Sequence, residues 1–326
     1  MKGKHIAIVL GGLAIGAVAI GGGYTFLMGK GGGKRVLFID SYHAGYAWSD
    51  GITVGVKEVF ADSGVELRVH RMDTKRNNSE DFKKQAALEA KAAIEAFKPD
   101  VVIAADDNAQ KYLIVPYYRG GDLPVVFAGV NWDASPYGYP ASNVTGMVEV
   151  SRPDELVNIL RTLSGGVSIG SLTGDTTTSR KEHAYYADQM NFNFDKSSYV
   201  KTFDQWKQEF VRLQDEVDML FMYNNAGIEG WDDDEAARFV RQNARIPSGS
   251  VQPWMAPYVL IAYTKNAQEQ GEWAAQAALQ ILNGASPSAI PMATNKRGNM
   301  IINSQLAQRL QMEIPASLLN SADDVL

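Results

Sequence analysis

Cysteine is absent from the 326-residue chain, and histidine occurs only four times. The absence of cysteine excludes disulfides, thiolate metal sites, a cysteine nucleophile and a lipid-modified cysteine anchor. The histidines are too scattered along the chain to suggest a metal site. The sequence lacks the HExxH signature of metallohydrolases. Residues 166–170, Gly-Val-Ser-Ile-Gly, match GxSxG, but Ser168 falls inside a predicted strand and not on the strand-to-helix turn that a nucleophile elbow needs. We therefore expect no catalytic residues, no metal and no cofactor.

Basic residues are in the minority as well. The chain carries 31 Lys and Arg residues against 37 Asp and Glu residues, for a net charge of -6. Lys2, Lys4 and Lys30 precede the first acidic residue, Asp40, so the balance from Lys34 onward is 28 against 37. Binding to phosphates needs a basic face, so this acidic body is not expected to bind nucleic acid. Hydrophobic residues at 45% and charged residues at 21% indicate a folded globular protein.

A charge-free run covers residues 6–28 and is flanked by lysines on both sides. Roughly 20 apolar residues span a bilayer, so the run is long enough for a transmembrane helix. Residues 17–19, Ala-Val-Ala, offer the cleavage site of a signal peptide, but the run stays apolar beyond them. We expect residues 1–29 to be a signal anchor, with a cleaved signal peptide as the alternative. Residues 30–33 then form a glycine tether, and the body from Lys34 is periplasmic or otherwise extracytoplasmic, held at the membrane by the N-terminal helix.

Short apolar runs alternate with amphipathic stretches through the body. This alternation indicates parallel sheets covered by helices on both faces, which is an α/β fold with doubly wound sheets. The predicted strands are 36–39, 65–69, 101–104, 123–128, 144–150, 167–172, 198–201, 217–222, 258–262 and 300–302. The predicted helices are 49–60, 79–97, 153–163, 179–190, 203–213, 232–244, 268–282 and 304–310.

The loop after the first predicted strand is rich in aromatic residues. In open parallel sheets, ligands bind beyond the carboxyl ends of the strands, so loops at these ends are the candidate site. Tyr42, His43, Tyr46 and Trp48 lie in this loop. Aromatic rings stack on flat ligands and on cations. Alternatively, the rings pack the edge of the sheet and His43 only satisfies a backbone carbonyl.

Two carboxylates and an amide, Asp106, Asp107 and Asn108, follow the third predicted strand. Such acceptors can hold an ammonium group or sugar hydroxyls, or they can cap the next helix. General acid-base catalysis and Mg²⁺ binding are less favoured, because no second carboxylate cluster stands at a readable spacing.

Later loops supply further polar and aromatic candidates. A hydroxyl-rich loop precedes a helix, where free backbone N–H groups suit a carboxylate or phosphate; helix capping is the alternative. The remaining candidates lie after other strands or near a return crossing. Together these residues are Asn131, Trp132, Asp175, Thr176, Thr177, Ser179, Asn224, Asn225 and Trp254.

Several collinear stretches carry a resemblance to a known family. They are Ser41-Tyr42-His43, Trp48-Ser49-Asp50, Met72-Asp73-Thr74-Lys75-Arg76, Asn143-Val144-Thr145-Gly146-Met147, Ile281-Leu282-Asn283-Gly284, Ile290-Pro291, Ile301-Ile302-Asn303, Ile314-Pro315 and Leu318-Leu319. With these stretches, the chain from about residue 35 to residue 326 resembles the type I periplasmic substrate-binding proteins of ABC importers. The resemblance is to the group that includes tryptophan- and tyrosine-binding components.

The resemblance implies two lobes joined by three hinge crossings, with a ligand captured between them. The first lobe would comprise residues 34–146 and 250–285, and the second lobe residues 147–249 and 286–326. The binding loops of the family would fall on 106–108, Asn131, Glu149, 175–179 and 224–225. The carboxylates at 106–107 and the aromatic loop at 42–48 depart from the amino-acid binders of the family, which leaves the ligand open.

The sequence therefore predicts an extracytoplasmic solute-binding protein. It would bind a small ligand that is amino-acid-like or flat and aromatic, and its protein partner would be the permease of an ABC importer. One alternative is a ligand-sensing subunit of a membrane signalling receptor, because the Tyr42-His43-x-Gly45-Tyr46-x-Trp48 pattern also resembles sensing domains. An enzyme that acts on sugars or phosphates is a more distant alternative.

Overall fold

The computed structural model describes residues 33–326, and the strands of this part form two separate sheets. The predicted signal anchor at 1–29 and most of the predicted tether lie outside the described residues. Within residues 33–326, no helix is both long and apolar enough to cross a bilayer.

Strands and helices alternate in the first part of the chain, as the sequence predicts. The strands are β1 (Arg35–Asp40), β2 (Glu66–Arg71), β3 (Val101–Ala105), β4 (Val125–Asn131) and β5 (Val144–Glu149). The helices are α1 (Ala47–Phe60), α2 (Glu80–Phe97), α3 (Asp106–Ala109) and α4 (Val115–Tyr117), with a π-helical turn at Gln110–Ile114 between the last two.

The alternation continues to the C-terminus. The strands are β6 (Ile169–Gly174), β7 (Lys196–Val200), β8 (Met219–Met222), β9 (Ser248–Ser250), β10 (Ile261–Lys265), β11 (Ala293–Thr294), β12 (Gly298–Ile302) and β13 (Asp324–Val325). The helices are α5 (Pro153–Ser164), α6 (Thr177–Met190), α7 (Phe203–Leu213), α8 (Asp233–Asn243), α9 (Ala267–Leu282), α10 (Ser304–Arg309) and α11 (Ala316–Ser321).

The two sheets confirm the predicted fold class. The first sheet has the order β11-β5-β4-β3-β1-β2 and is parallel throughout. The second has the order β13-β12-β10-β9-β8-β6-β7, and its neighbours are parallel except β10 and β12, which are antiparallel. Apolar side chains form one buried cluster on each face of the first sheet and a third cluster around the second sheet. Each sheet therefore has its own core.

Helix α9 follows a strand of the second sheet but packs on the first. It packs closely against α1. A Cβ atom at Gly271 would lie only 2.1 Å from the backbone oxygen of Ile52. Only glycine permits this approach of the two backbones. The side chain of Asn266 caps the helix by accepting a hydrogen bond from Glu269 N at 2.7 Å. The chain thus changes sheets at Asn266.

The chain passes between the sheets three times within the described residues, at 150–152, 266 and 295–297. Hydrogen bonds connect these crossings. Val150 N donates to the side-chain oxygen of Asn295 at 2.8 Å, and the carboxylate of Glu269 accepts from the backbone N–H groups of Lys296 and Arg297. We call residues 34–149 and 267–294 lobe 1, and residues 153–265 and 298–326 lobe 2.

These boundaries differ from the expected ones in three places. Strand β5 ends at Glu149 in the first sheet, where the first lobe was expected to end at residue 146. Strand β10 pairs with β9 and β12 in the second sheet, although residues 250–285 were assigned to the first lobe. The short β11 returns to the first sheet beside β5. Apolar patterning identifies strands, but it does not indicate with which strand each one pairs.

Candidate functional site

A cavity of about 590 Å³ opens between the lobes and receives side chains from both. Lobe 1 contributes residues that follow or end its strands, together with the start of α9. Lobe 2 contributes one loop and the facing ends of two strands. The lining residues are Tyr42, Tyr46, Ala47, Trp48, Lys75, Asp106, Asn131, Glu149 and Ala267 from lobe 1, and Val251, Gln252, Pro253, Trp254, Thr264, Lys265 and Asn299 from lobe 2.

The aromatic loop after β1 forms one side of the cavity. The rings of Tyr42 and Tyr46 meet edge to face with their centroids 5.4 Å apart. The ammonium of Lys75 stands over both rings, 5.1 Å from the centroid of Tyr42 and 4.9 Å from that of Tyr46. This is a cation–π arrangement within the wall of the cavity. Burial, more than the nearby acidic groups, raises the pKa of the Tyr42 hydroxyl far above its usual value. The side chain is therefore present as the neutral phenol.

Asp106 lies at the base of the cavity, directly after β3. Its backbone has a φ of 65°, in the left-handed region that non-glycine residues rarely adopt, and the residue is only 2% exposed. Trp48 Nε1 donates to Asp106 Oδ1 at 2.9 Å, whereas Oδ2 is buried and has no hydrogen-bond partner within the described part of the chain. Burial raises the pKa of Asp106 well above its usual value, and the nearby charge of Glu149 raises it further. These surroundings therefore favour the neutral acid, and a cation placed at Oδ2 would favour the ionised carboxylate.

Gly129 leaves room for this arrangement. It has a φ of 65°, and a Cβ atom there would lie 3.0 Å from Asp106 Oδ1 and 3.4 Å from Trp48 Nε1. Its backbone N–H donates to Gln270 Oε1 on α9 at 2.9 Å. The loop after β4 is thus fixed against α9 while it keeps clear of the Trp48–Asp106 hydrogen bond.

Glu149 and Lys265 form an ion pair between the lobes. Glu149 is the last residue of β5 in lobe 1, and Lys265 is the last residue of β10 in lobe 2. Burial raises the pKa of Glu149, and the ammonium of Lys265 opposes that rise. The same ammonium lies 5.9 Å from the ring centroid of Trp48 and 5.8 Å from that of Trp132. Each residue directly precedes a crossing, so the pair links the cavity to the hinge.

Four lobe 1 residues predicted for the site support it without lining the cavity. His43 Nδ1 lies 2.9 Å from the backbone oxygen of Ala44. Asp107 accepts from Asn131 Nδ2 and from the hydroxyl of Tyr137, both at 2.7 Å. Asn108 Nδ2 donates to Thr74 Oγ1 at 2.9 Å. The ring of Trp132 packs on that of Tyr185 in α6, with the ring centroids 4.7 Å apart.

The predicted residues after β6 and β8 in lobe 2 also lie outside the lining. Thr176 caps α6 by accepting from Ser179 N at 3.0 Å, and Arg180 pairs with Asp175 at 2.7 Å. Asn224 accepts from Ala226 N at 2.8 Å. These side chains satisfy one another and the backbone, as the capping alternative expects. Thr177 and Asn225 likewise do not border the cavity.

Five polar lining residues were missed from the sequence: Lys75, Gln252, Thr264, Lys265 and Asn299. Lys75 belongs to the Met72–Arg76 stretch that carries the family resemblance, and this was the available signal. Lys265 ends a strand, but it was placed in the wrong lobe. Gln252 adjoins the predicted Trp254 near a return crossing, which was its signal. Thr264 and Asn299 offered none, because their position depends on how the two sheets face each other.

A model of the family described as ABC transporter substrate binding protein matches residues 46–326. The chain belongs to this family. A binding role therefore accounts for the cavity better than a catalytic one, since the family consists of substrate-binding proteins. Comparison with curated proteins finds no significant match.

Solved structures share the fold of this substrate-binding protein at low sequence identity. The ligand-free, open structure of a substrate binding protein with adhesive properties from Clostridium difficile is 16% identical, with a TM-score of 0.68 over 90% of this chain and 99% of that one. An ABC domain in complex with L-Trp from Streptococcus pneumonia is 19% identical, with a TM-score of 0.53 over 90% and 100%. A conserved domain protein from Vibrio cholerae is 14% identical, with a TM-score of 0.54 over the same shares.

Proposed function

We propose that this protein captures a small zwitterionic ligand with a flat aromatic part in the cavity between its lobes. It does so outside the cytoplasmic membrane and delivers the ligand to the permease of an ABC importer. The observation that carries the proposal is the buried oxygen of Asp106, which has no hydrogen-bond partner among residues 33–326 and lies in a cavity lined by the rings of Tyr42, Tyr46 and Trp48.

The buried carboxyl favours a ligand that carries an ammonium group. A buried charge without a partner is costly, so the pKa of Asp106 is raised by burial. An ammonium at Oδ2 would supply both the missing hydrogen bond and the opposite charge. Charge-assisted hydrogen bonds of this kind are roughly twice as strong as neutral ones.

The rings favour a flat ligand body. Tyr42, Tyr46 and Trp48 line the lobe 1 side, and Trp254 of lobe 2 is 54% exposed at the cavity. Aromatic pairs add about 0.5–1.5 kcal/mol beyond the burial of their area. A ligand between these walls touches both lobes, so its binding stabilises the arrangement in which the lobes are close together.

Isothermal titration calorimetry with the 20 amino acids, the nucleobases and common sugars tests the proposal. L-Tryptophan is the first probe, because the Streptococcus structure holds it. We expect aromatic L-amino acids to bind with a Kd of about 10 μM or tighter, which corresponds to roughly −7 kcal/mol. Silence of the folded protein across the whole panel would contradict the proposal.

The family match favours import over sensing, since it is to substrate-binding proteins of ABC transporters. Uptake of radiolabelled L-tryptophan by cells that carry or lack the gene tests this part separately. We expect uptake at low external concentration to be lost with the gene. Unchanged uptake in the deleted strain would contradict the importer role, even if the purified protein binds.

A further inference from the structure

The cavity contains two lysine ammonium groups that differ in their partners. Lys265 is paired with Glu149. For Lys75, no carboxylate lies within 4.0 Å among residues 33–326, and its ammonium rests over the rings of Tyr42 and Tyr46. Lys75 is thus a cavity cation whose charge the neighbouring side chains do not neutralise at short range.

Hydrogen bonds of the preceding residues hold Lys75 in this place. The backbone N–H of Asp73 donates to Tyr42 O at 2.9 Å, and that of Thr74 donates to Ser41 O at 3.0 Å. The hydroxyl of Thr74 donates to the same Ser41 oxygen at 2.6 Å and accepts from Asn108 at 2.9 Å. The backbone before Lys75 is therefore tied to the aromatic loop, and the exposed lysine side chain extends from this fixed backbone.

We propose that Lys75 determines the specificity of the site, because its ammonium binds the carboxylate of the ligand and excludes ligands of net positive charge. This inference rests on the proposed function and deepens it. The cation position over Tyr42 and Tyr46 is already taken by the protein's own ammonium. A second cation brought beside it meets like-charge repulsion, whereas a carboxylate meets an unneutralised partner.

Among the described lining residues, Lys75 is the cation that has no carboxylate partner within 4.0 Å. The hydroxyl-rich loop at the start of α6 was predicted to hold an anion, but Thr176 and Ser179 bond each other there. Lys265 is already paired with Glu149. Asp106 and Lys75 then form the two complementary charges for a zwitterion, and the aromatic rings that line the same cavity would take the ligand body.

Calorimetry with matched pairs of ligands tests the assignment. The probes are L-tryptophan, L-tyrosine and L-phenylalanine, each with its methyl ester, which keeps the ammonium and ring but lacks the carboxylate. We expect the wild type to prefer each amino acid over its ester by about 30-fold, as for a charge-assisted hydrogen bond of roughly 2 kcal/mol. In Lys75→Met we expect amino-acid binding to weaken by about tenfold or more and ester binding to be unchanged or stronger.

Two further variants keep the test sharp. Lys75→Arg retains the charge and should retain the preference for the amino acid, whereas Lys57→Met removes an exposed lysine on α1 and should match the wild type. Equal affinity of the wild type for amino acid and ester would overturn the inference while leaving the proposed function intact. The inference would also be overturned if Lys75→Met, with a circular dichroism spectrum like that of the wild type, still preferred each amino acid over its ester as strongly as the wild type does. Silence of the wild type toward every probe would overturn the proposed function and this inference together.

Discussion

The two walls of the cavity are built by different means. In lobe 1, residues after β1, β2 and β3 and at the ends of β4 and β5 line the cavity, and they bring three of its four charged side chains, those of Lys75, Asp106 and Glu149. In lobe 2, the corresponding residues after β6 and β8 are bonded to each other and to their own helix. The lobe 2 wall comes instead from residues 251–254, the end of β10 and Asn299.

We propose from this difference that the lobes have separate tasks. Lobe 1 holds the buried carboxyl of Asp106, three aromatic rings and Lys75, so it would carry the chemical recognition of the ligand. Lobe 2 supplies an exposed tryptophan, Trp254, and the ammonium of Lys265 that already has a partner. On this proposal lobe 2 would act mainly as a cover, and substitutions in the loops after β6 and β8 should matter little for binding.

The largest expected effect is the loss of binding in Asp106→Asn. The substitution keeps the shape and a partner for Trp48 but removes the charge that would meet the ligand ammonium. We expect the Kd for L-tryptophan to rise by about 100-fold, since a lost partner of a buried charge pair costs about 2–5 kcal/mol. The matched lobe 2 variant, Asp175→Asn, should stay within about threefold of the wild type in the same titration. Equal losses in both variants would refute the division of tasks.

A second prediction concerns a buried acid of lobe 2 that lies outside the lining. Glu182 on α6 is 2% exposed and accepts from the hydroxyl of Tyr186 at 2.8 Å. Burial raises its pKa from 4.5 to about 7. Between these two pH values the Glu182 carboxyl is protonated in the folded state but ionised in the unfolded state. The contribution of Glu182 to the free energy of unfolding therefore falls as the pH rises from 4.5 to about 7.

Glu182→Gln should remove this pH dependence. We expect the free energy of unfolding of the wild type to fall by about 2 kcal/mol more than that of the variant between pH 5 and pH 8. Urea denaturation at both pH values measures it, and the exposed Glu229→Gln is the control. Parallel pH profiles of wild type and Glu182→Gln would contradict the prediction. Ligand affinity at one pH should change little, because Glu182 is not part of the cavity wall.

Trp48→Phe should have a smaller effect on binding than Asp106→Asn. The variant keeps a ring in the wall but removes the N–H that donates to Asp106 Oδ1 at 2.9 Å. We expect the Kd for L-tryptophan to rise by about tenfold, which is roughly 1.4 kcal/mol. Trp254→Phe is the lobe 2 counterpart and should change the Kd by less, since half of this side chain is exposed. A reversed order in calorimetry would count against lobe 1 as the recognition side.

The sequence predicted the strands of lobe 1 and much of its wall for a clear physical reason. An apolar run such as β3, buried at every position, leaves little choice of structure, and the residue that follows it must stand at the carboxyl edge of the sheet. Tyr42, Asp106 and Asn131 line the cavity in accordance with this rule. The rule locates the edge of a sheet, and in lobe 1 that edge faces the cavity.

The rest depends on contacts between segments that are distant in sequence. The pairing of β10 with an antiparallel partner, and the departure of α9 toward lobe 1, follow from register and helix packing rather than from periodicity. The Glu149–Lys265 ion pair exists only because β5 and β10 end beside each other. In lobe 2, local capping by Thr176 competed with ligand binding for the same hydroxyls, and the sequence could not decide between them.

The absence of cysteine permits the most direct test of the central claim, that the two lobes close on a ligand held between them. Ala44 of lobe 1 and Thr178 of lobe 2 are exposed and follow β1 and β6, at the carboxyl ends of the two sheets. Spin labels on Ala44→Cys and Thr178→Cys report the distance between the lobes by pulsed electron resonance. We expect saturating L-tryptophan to shorten this distance in an otherwise wild-type chain, and the same concentration to leave it unchanged with Asp106→Asn added. Tight binding of L-tryptophan in calorimetry with no change in the distance would contradict the account.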